Sequence, residues 1–159
     1  MKENCFKVLS YSVLSVLLLL AVPMRAQVGK GDRLVGTYHV VEPDTKEESK
    51  VKIFKTSDGK YKGQVIWLAV PNMPDGTPKR DILNPDPKKR NTPGDQIVLL
   101  WGFEYDAEDD MWVNGEIYDP CHGKTYKCRL KFEDDKKLNV RGYIGTPAIG
   151  KSMYWYKID

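Results

Sequence analysis

The chain has 159 residues, 41% hydrophobic and 30% charged, with a formal net charge of +3. That is one domain's worth of sequence, and the composition excludes a disordered tail, a collagen-like repeat and a disulfide-dense mini-protein. Two units of the charge sit at the N-terminus, in Lys2, Lys7 and Arg25 against Glu3, so the remainder carries only +1; nucleic-acid binding by a broad positive surface is not supported.

The first element is a leader. Residues 1–7 carry two lysines, residues 8–22 are apolar apart from three serines and a tyrosine, and polar sequence returns at Arg25-Ala26-Gln27. A charged start, an apolar run of about 15 residues and a small-residue exit make the layout of a signal peptide. A membrane anchor needs about 20 apolar residues. Cys5 precedes the apolar run, which does not suit lipoprotein cleavage. Cleavage is expected near Ala26, leaving residues 27–159 as a single periplasmic or secreted domain with no membrane span.

Beyond the leader, period-2 alternation recurs and no long stretch carries a helical stripe. The predicted strands are 34–41, 50–55, 60–67, 97–105, 111–119, 125–132, 137–144 and 152–158. In the third, Tyr61, Gly63, Val65 and Trp67 share one face, with Lys60, Lys62 and Gln64 on the other. The sixth is the cleanest: Tyr126, Cys128, Leu130 and Phe132 alternate with Lys127, Arg129 and Lys131. Turn chemistry at Ser57-Asp58-Gly59, 106–110, 119–123 and 133–136 suits hairpins. Sequential antiparallel strands of this number predict an all-β, eight-stranded up-and-down barrel, because closure removes exposed sheet edges. Such an interior is either filled by side chains or holds one small ligand.

Residues 71–93 interrupt the short turns. Six of these 23 are proline, and proline lacks the donor that a sheet ladder needs. The segment is therefore a long connection, either a functional lid carrying Asn84, Asp86 and Arg90 or a rigid crossover that covers a barrel end.

Catalytic signals are sparse. There are two histidines, His39 and His122, and neither belongs to a zinc-binding array. Asp119, Cys121 and His122 fall so close together that an exposed hairpin tip is favoured over a metal site; no metal or cofactor is expected. Cys121 and Cys128 would stand about 23 Å apart on an extended strand, beyond disulfide reach, so two free thiols are expected.

Aromatic residues are more distinctive. Trp67, Trp101, Trp112 and Trp155 fall on four strands, with Tyr118, Tyr126 and Tyr143 nearby. Inward-pointing rings would make a slot for a flat or apolar ligand, or simply fill a core. Arg141 either faces solvent or points inward against a carboxylate, Asp119 or Asp86, since an unpaired buried charge is very costly.

Several segments taken together are specific: Asn84-Pro85-Asp86, Arg90, Leu100-Trp101-Gly102-Phe103, Gly115-Glu116-Ile117-Tyr118-Asp119-Pro120, Gly123-Lys124-Thr125-Tyr126-Lys127-Cys128 and Val140-Arg141-Gly142-Tyr143-Ile144-Gly145. In this order they resemble the bacterial exported family called domain of unknown function 2147, from about Leu34 to the C-terminus. The resemblance implies a lipocalin-like (calycin-type) barrel outside the cytoplasm and implies no reaction. Gly36-Thr37-Tyr38 would occupy the Gly-x-Trp site of lipocalin first strands, with tyrosine in place of tryptophan.

These readings converge on a cell-envelope protein that binds a small apolar or amphipathic molecule through Trp67, Trp101, Trp112, Tyr118, Asp119, Tyr126, Arg141 and Tyr143. Two alternatives stay open. One is a filled barrel whose loops bind another envelope protein. The other is an enzyme with Asp119 as base, Tyr118 as donor and Arg141 as charge stabiliser.

Overall fold

Alternation of apolar and polar residues lets a strand bury one face and wet the other. The computed structural model describes residues 29–159 and places every period-2 segment in one sheet. The leader expected over residues 1–26 lies outside the described residues. The strands are β1 (Gly36–Val41), β2 (Glu48–Lys55), β3 (Tyr61–Leu68), β4 (Val98–Asp106), β5 (Met111–Asp119), β6 (Lys124–Phe132), β7 (Lys137–Tyr143) and β8 (Gly150–Lys157). Each pairs antiparallel with its sequence neighbour, and β8 returns to β1 through Tyr38/Lys157 and His39/Tyr156. The result is the expected closed eight-stranded barrel. Leu34, predicted to open the first strand, instead ends a 3-10 helix at Lys30–Leu34. Gly31 in that helix lies so close to Tyr61 and Tyr105 that a Cβ would collide with both, a close approach that only glycine permits.

In an up-and-down barrel, alternate connections gather at opposite ends. The connections after β2, β4 and β6, together with the 3-10 helix, form one end. It is solid. Trp112 is fully buried there, and its indole N–H donates to the Gly31 carbonyl at 3.1 Å. Tyr105, Phe132 and Tyr61 stand around it with ring centroids at 5.3, 5.7 and 6.4 Å. The Arg33 guanidinium lies over the Trp112 and Phe132 rings at 5.3 and 5.2 Å and pairs with Asp110 at 2.8 Å, a cation–π arrangement held by a carboxylate.

Asp32 ties the helix to this end. Its Oδ1 accepts from Lys55 Nζ and from the Tyr61 hydroxyl, both at 2.7 Å. The Lys55 bond, then the Tyr61 bond, hold its carboxyl below the usual range. A depressed pKa means that the stabilisation is present above the unfolded value and disappears as the pH falls through the folded one. Asp32→Asn is therefore expected to cost about 1–2 kcal/mol at neutral pH. The gap from the parent should close as thermal melts are taken below about pH 4.

Candidate functional site

The other end, formed by the connections after β1, β3, β5 and β7, is hollow. Two of the strands contribute small inward side chains there. Along β2 they shrink from Ile53 to Val51 to Ser49, and along β7 from Leu138 to Val140 to Gly142, always from the solid end to the open one. The space left is a cavity of about 920 Å³, at the upper part of the range for small-molecule sites. Val40, Val65, Val140 and Trp155 are buried at its floor and walls, and Ile117, Tyr126 and Met153 continue the lining.

The proline-rich connection lies against this opening, with Arg80, Ile82 and Leu83 lining the cavity. It is pinned from the barrel wall. The Tyr118 hydroxyl donates to Asp81 Oδ1 at 2.6 Å, and Asn84 Nδ2 donates to Asp81 Oδ2 at 2.6 Å. Both Asp81 and Asn84 are buried. Arg90 Nε donates to the Asn84 carbonyl at 2.8 Å, and Asp86 caps the 3-10 helix Pro87–Lys89 through the Lys88 amide. Asn84, Asp86 and Arg90 thus hold the loop's shape and lie outside the cavity lining. Gly123, at φ +63°, abuts the Leu83 carbonyl so closely that a Cβ has no room.

Of the residues expected at the site, the structure brings four to the cavity: Tyr118, Asp119, Tyr126 and Tyr143. The other four lie elsewhere. Trp67 faces outward because a bulge intervenes: Val51 pairs with Val65 but Lys50 with Trp67, so one extra residue flips the alternation. Its ring carries Lys50 Nζ at 5.1 Å, and Leu68 takes the inward position. Trp101 sits opposite Glu116 on the outer face and donates its indole N–H to that carboxylate at 2.7 Å. Trp112 belongs to the solid end. Arg141 is also on the outer wall, where its guanidinium donates to the Pro147 carbonyl at 2.7 Å and to Ser152 Oγ at 3.1 Å. Trp155, noted only among the tryptophans, is the one at the cavity.

This placement leaves no catalytic trio. Tyr118 is committed to Asp81, Arg141 to the outer wall, and Asp119 to His122 Nδ1 at 2.7 Å. Partial desolvation, then the Asp119, Glu42 and Glu47 carboxylates, push the Cys121 thiol up, the opposite of what a nucleophilic cysteine needs. Burial raises Cys128 as well. Both thiols are free, Cys121 exposed and Cys128 buried. Among the described residues, no group of His, Cys, Asp and Glu is arranged to hold a metal ion.

The fold has a counterpart. The chain is similar to HP1028 from the human pathogen Helicobacter pylori, a protein of the lipocalin family. The likeness has 26% identity and a TM-score of 0.67, over 79% of this chain and 83% of that one. No functionally curated protein matches it significantly. Residues 36–157 match the family described as "uncharacterized protein conserved in bacteria (DUF2147)", a span that takes in the strands and the cavity alike; the chain belongs to that family.

Proposed function

We propose that the protein is an exported carrier or sensor that holds one small apolar or amphipathic molecule in the open half of its barrel. The observation that supports this is the apolar-walled cavity of about 920 Å³ at the open end. Val40, Val65, Ile117, Val140, Met153 and Trp155 wall this space, and unfilled apolar space loses dispersion contacts unless a ligand restores them. Charged side chains are confined to the rim, which suits a ligand with one polar end. Export rests on the leader, and the lipocalin likeness favours the same binding mode.

The test uses residues 27–159 and the probe cis-parinaric acid. Saturable binding of one probe per chain, with quenching of Trp155 emission that is lost in Trp155→Phe, is the expected result. Gly142→Leu places a side chain against Ile117, whose Cγ2 lies 3.3 Å from the position of a Cβ. It should weaken probe binding by about tenfold or more by occupying apolar space. A linear, unsaturable response, or one indifferent to Gly142→Leu, would defeat the reading. Native mass spectrometry of protein from its own host should also show a mass released on denaturation.

A further inference from the structure

The seam that closes the barrel has the fewest paired residues. β1 is paired with β2 along its whole length, and β8 with β7 as far as Gly150, yet β1 and β8 meet only at Tyr38/Lys157 and His39/Tyr156. Toward the solid end this seam is laced. Lys157 Nζ donates to the Arg33 and Val35 carbonyls at 2.7 Å, the Ile158 amide donates to the Thr37 carbonyl at 2.9 Å, and the Thr37 amide donates to Asp159 Oδ1 at 2.6 Å. Toward the open end the lacing stops.

In the same register Val40 would face Trp155 and Val41 would face Tyr154, but neither pair forms. β1 then ends, and residues 42–47 turn back on themselves: the Glu42 amide donates to the Glu47 carbonyl and the Lys46 amide to the Glu42 carbonyl, both at 2.9 Å. β8 begins at Gly150, so residues 150–153 stand without a β1 partner. A notch is left in the wall, with buried Val40 and Trp155 as its sill and exposed Val41 and Tyr154 flanking it outside. Glu42, Asp44 and Thr45 on one side, and Gly150, Lys151 and Met153 on the other, all line the cavity. Among the described residues the polar link across the notch is Asp44–Lys151, at 3.6 Å, between side chains 68% and 69% exposed. An exposed ion pair holds little, and a wall so lightly tied opens more readily than a laddered one.

The proline-rich loop is fastened elsewhere, through Lys79 to Glu47 just before β2 and through Asp81 to Tyr118 on β5. Lifting it would strand the buried Asp81 carboxylate without its donor, and an unsatisfied buried group is far costlier than a broken surface ion pair. We propose that the notch is the doorway of the cavity. The bound molecule enters and leaves sideways, over Trp155, between the β1–β2 connection and β8, while the loop stays seated across the end of the barrel. This rests on the carrier reading above and adds the route to it. Loosening the loop would open a second way out.

The experiment uses residues 27–159, which contain every strand of the barrel, with Asp44→Cys and Lys151→Cys in a Cys121→Ser background. One exposed thiol then stands on each side of the notch, and Cys128 is buried. A short bis-methanethiosulfonate linker joins the two thiols, and mass spectrometry measures the joined fraction. Stopped-flow fluorescence follows parinaric acid uptake and release before joining, after it, and after reduction with dithiothreitol. Joining should slow uptake and release alike by about tenfold or more, because a shut path raises the barrier in both directions. Affinity should stay nearly constant, and reduction should restore both rates. Joined protein that exchanges the probe at the unjoined rate would overturn the doorway and leave the carrier reading standing. Weaker binding without slower release would mean that the linker crowds the cavity, and would overturn it too. Should the thiols not join, a bulky maleimide adduct on Lys151→Cys alone supplies the block, with the same outcomes. Absence of saturable probe binding before joining would overturn the carrier reading and the doorway with it.

Discussion

Trp112→Ala is expected to destabilise the barrel by about 3–5 kcal/mol, the range for truncating a large buried aromatic. For a domain of this size that is a fall in Tm on the order of 10 °C or more. Truncation removes the ring on which Tyr61, Tyr105 and Phe132 converge, strands the Gly31 carbonyl without its donor, and takes away one of the two surfaces under Arg33. The 3-10 helix Lys30–Leu34 loses part of its seat at the same time. Below the melting transition, ligand uptake at the opposite end should persist, because Trp112 does not line the cavity. Calorimetry and a binding titration on the same variant check both halves. A loss smaller than about 1 kcal/mol would mean that other residues close this end.

Tyr118→Phe is expected to act on the loop more than on the barrel. It leaves Asp81 Oδ1 without its donor in a site where the carboxylate is only 3% exposed. An unsatisfied buried polar group costs about 1–3 kcal/mol. Asp81 keeps Asn84, so the cost falls on the seating of residues 79–94. Hydrogen exchange should show it. The amides of Asp81 (to Thr92), Asn84 (to Asp81) and Gly94 (to Lys79) are bonded within the loop and should lose protection, while amides of the β6–β7 ladder keep theirs. Release of a bound probe should quicken. Gly123→Ala should have a similar effect by a different route, since a Cβ there meets the Leu83 backbone and no rotamer can relieve it. Unchanged exchange in both variants would show that the loop is seated by other contacts.

The barrel was legible because its strands are half-buried. Tyr126, Cys128, Leu130 and Phe132 against Lys127, Arg129 and Lys131 is a pattern that only a two-faced strand satisfies, and β6 occupies nearly the predicted span. The site was less legible for identifiable reasons. Strict alternation puts Trp67 inside, and it fails because one bulge shifts the phase. Tyr118 stands in the opposite phase to Gly115 and Ile117, and becomes buried because the loop covers it. No local pattern announces that cover. Asp81 and Asn84 look like ordinary polar loop residues in sequence, and their burial follows from the distant Tyr118. The taper along β2 and β7 was present in the sequence as Ile53, Val51, Ser49 and Leu138, Val140, Gly142. Those two strands alone do not locate the hollow end, because Cys128 to Tyr126 on β6 runs the other way in size.

The parity of the strands also separates two sets of connections. Every connection at the solid end follows an even-numbered strand, and every connection at the open end follows an odd-numbered one. Exposed residues of the second set can change without disturbing the rings packed around Trp112. A rim altered over an unchanged base would keep the Trp112 packing, so the shape of the mouth and the stability of the barrel can be varied separately.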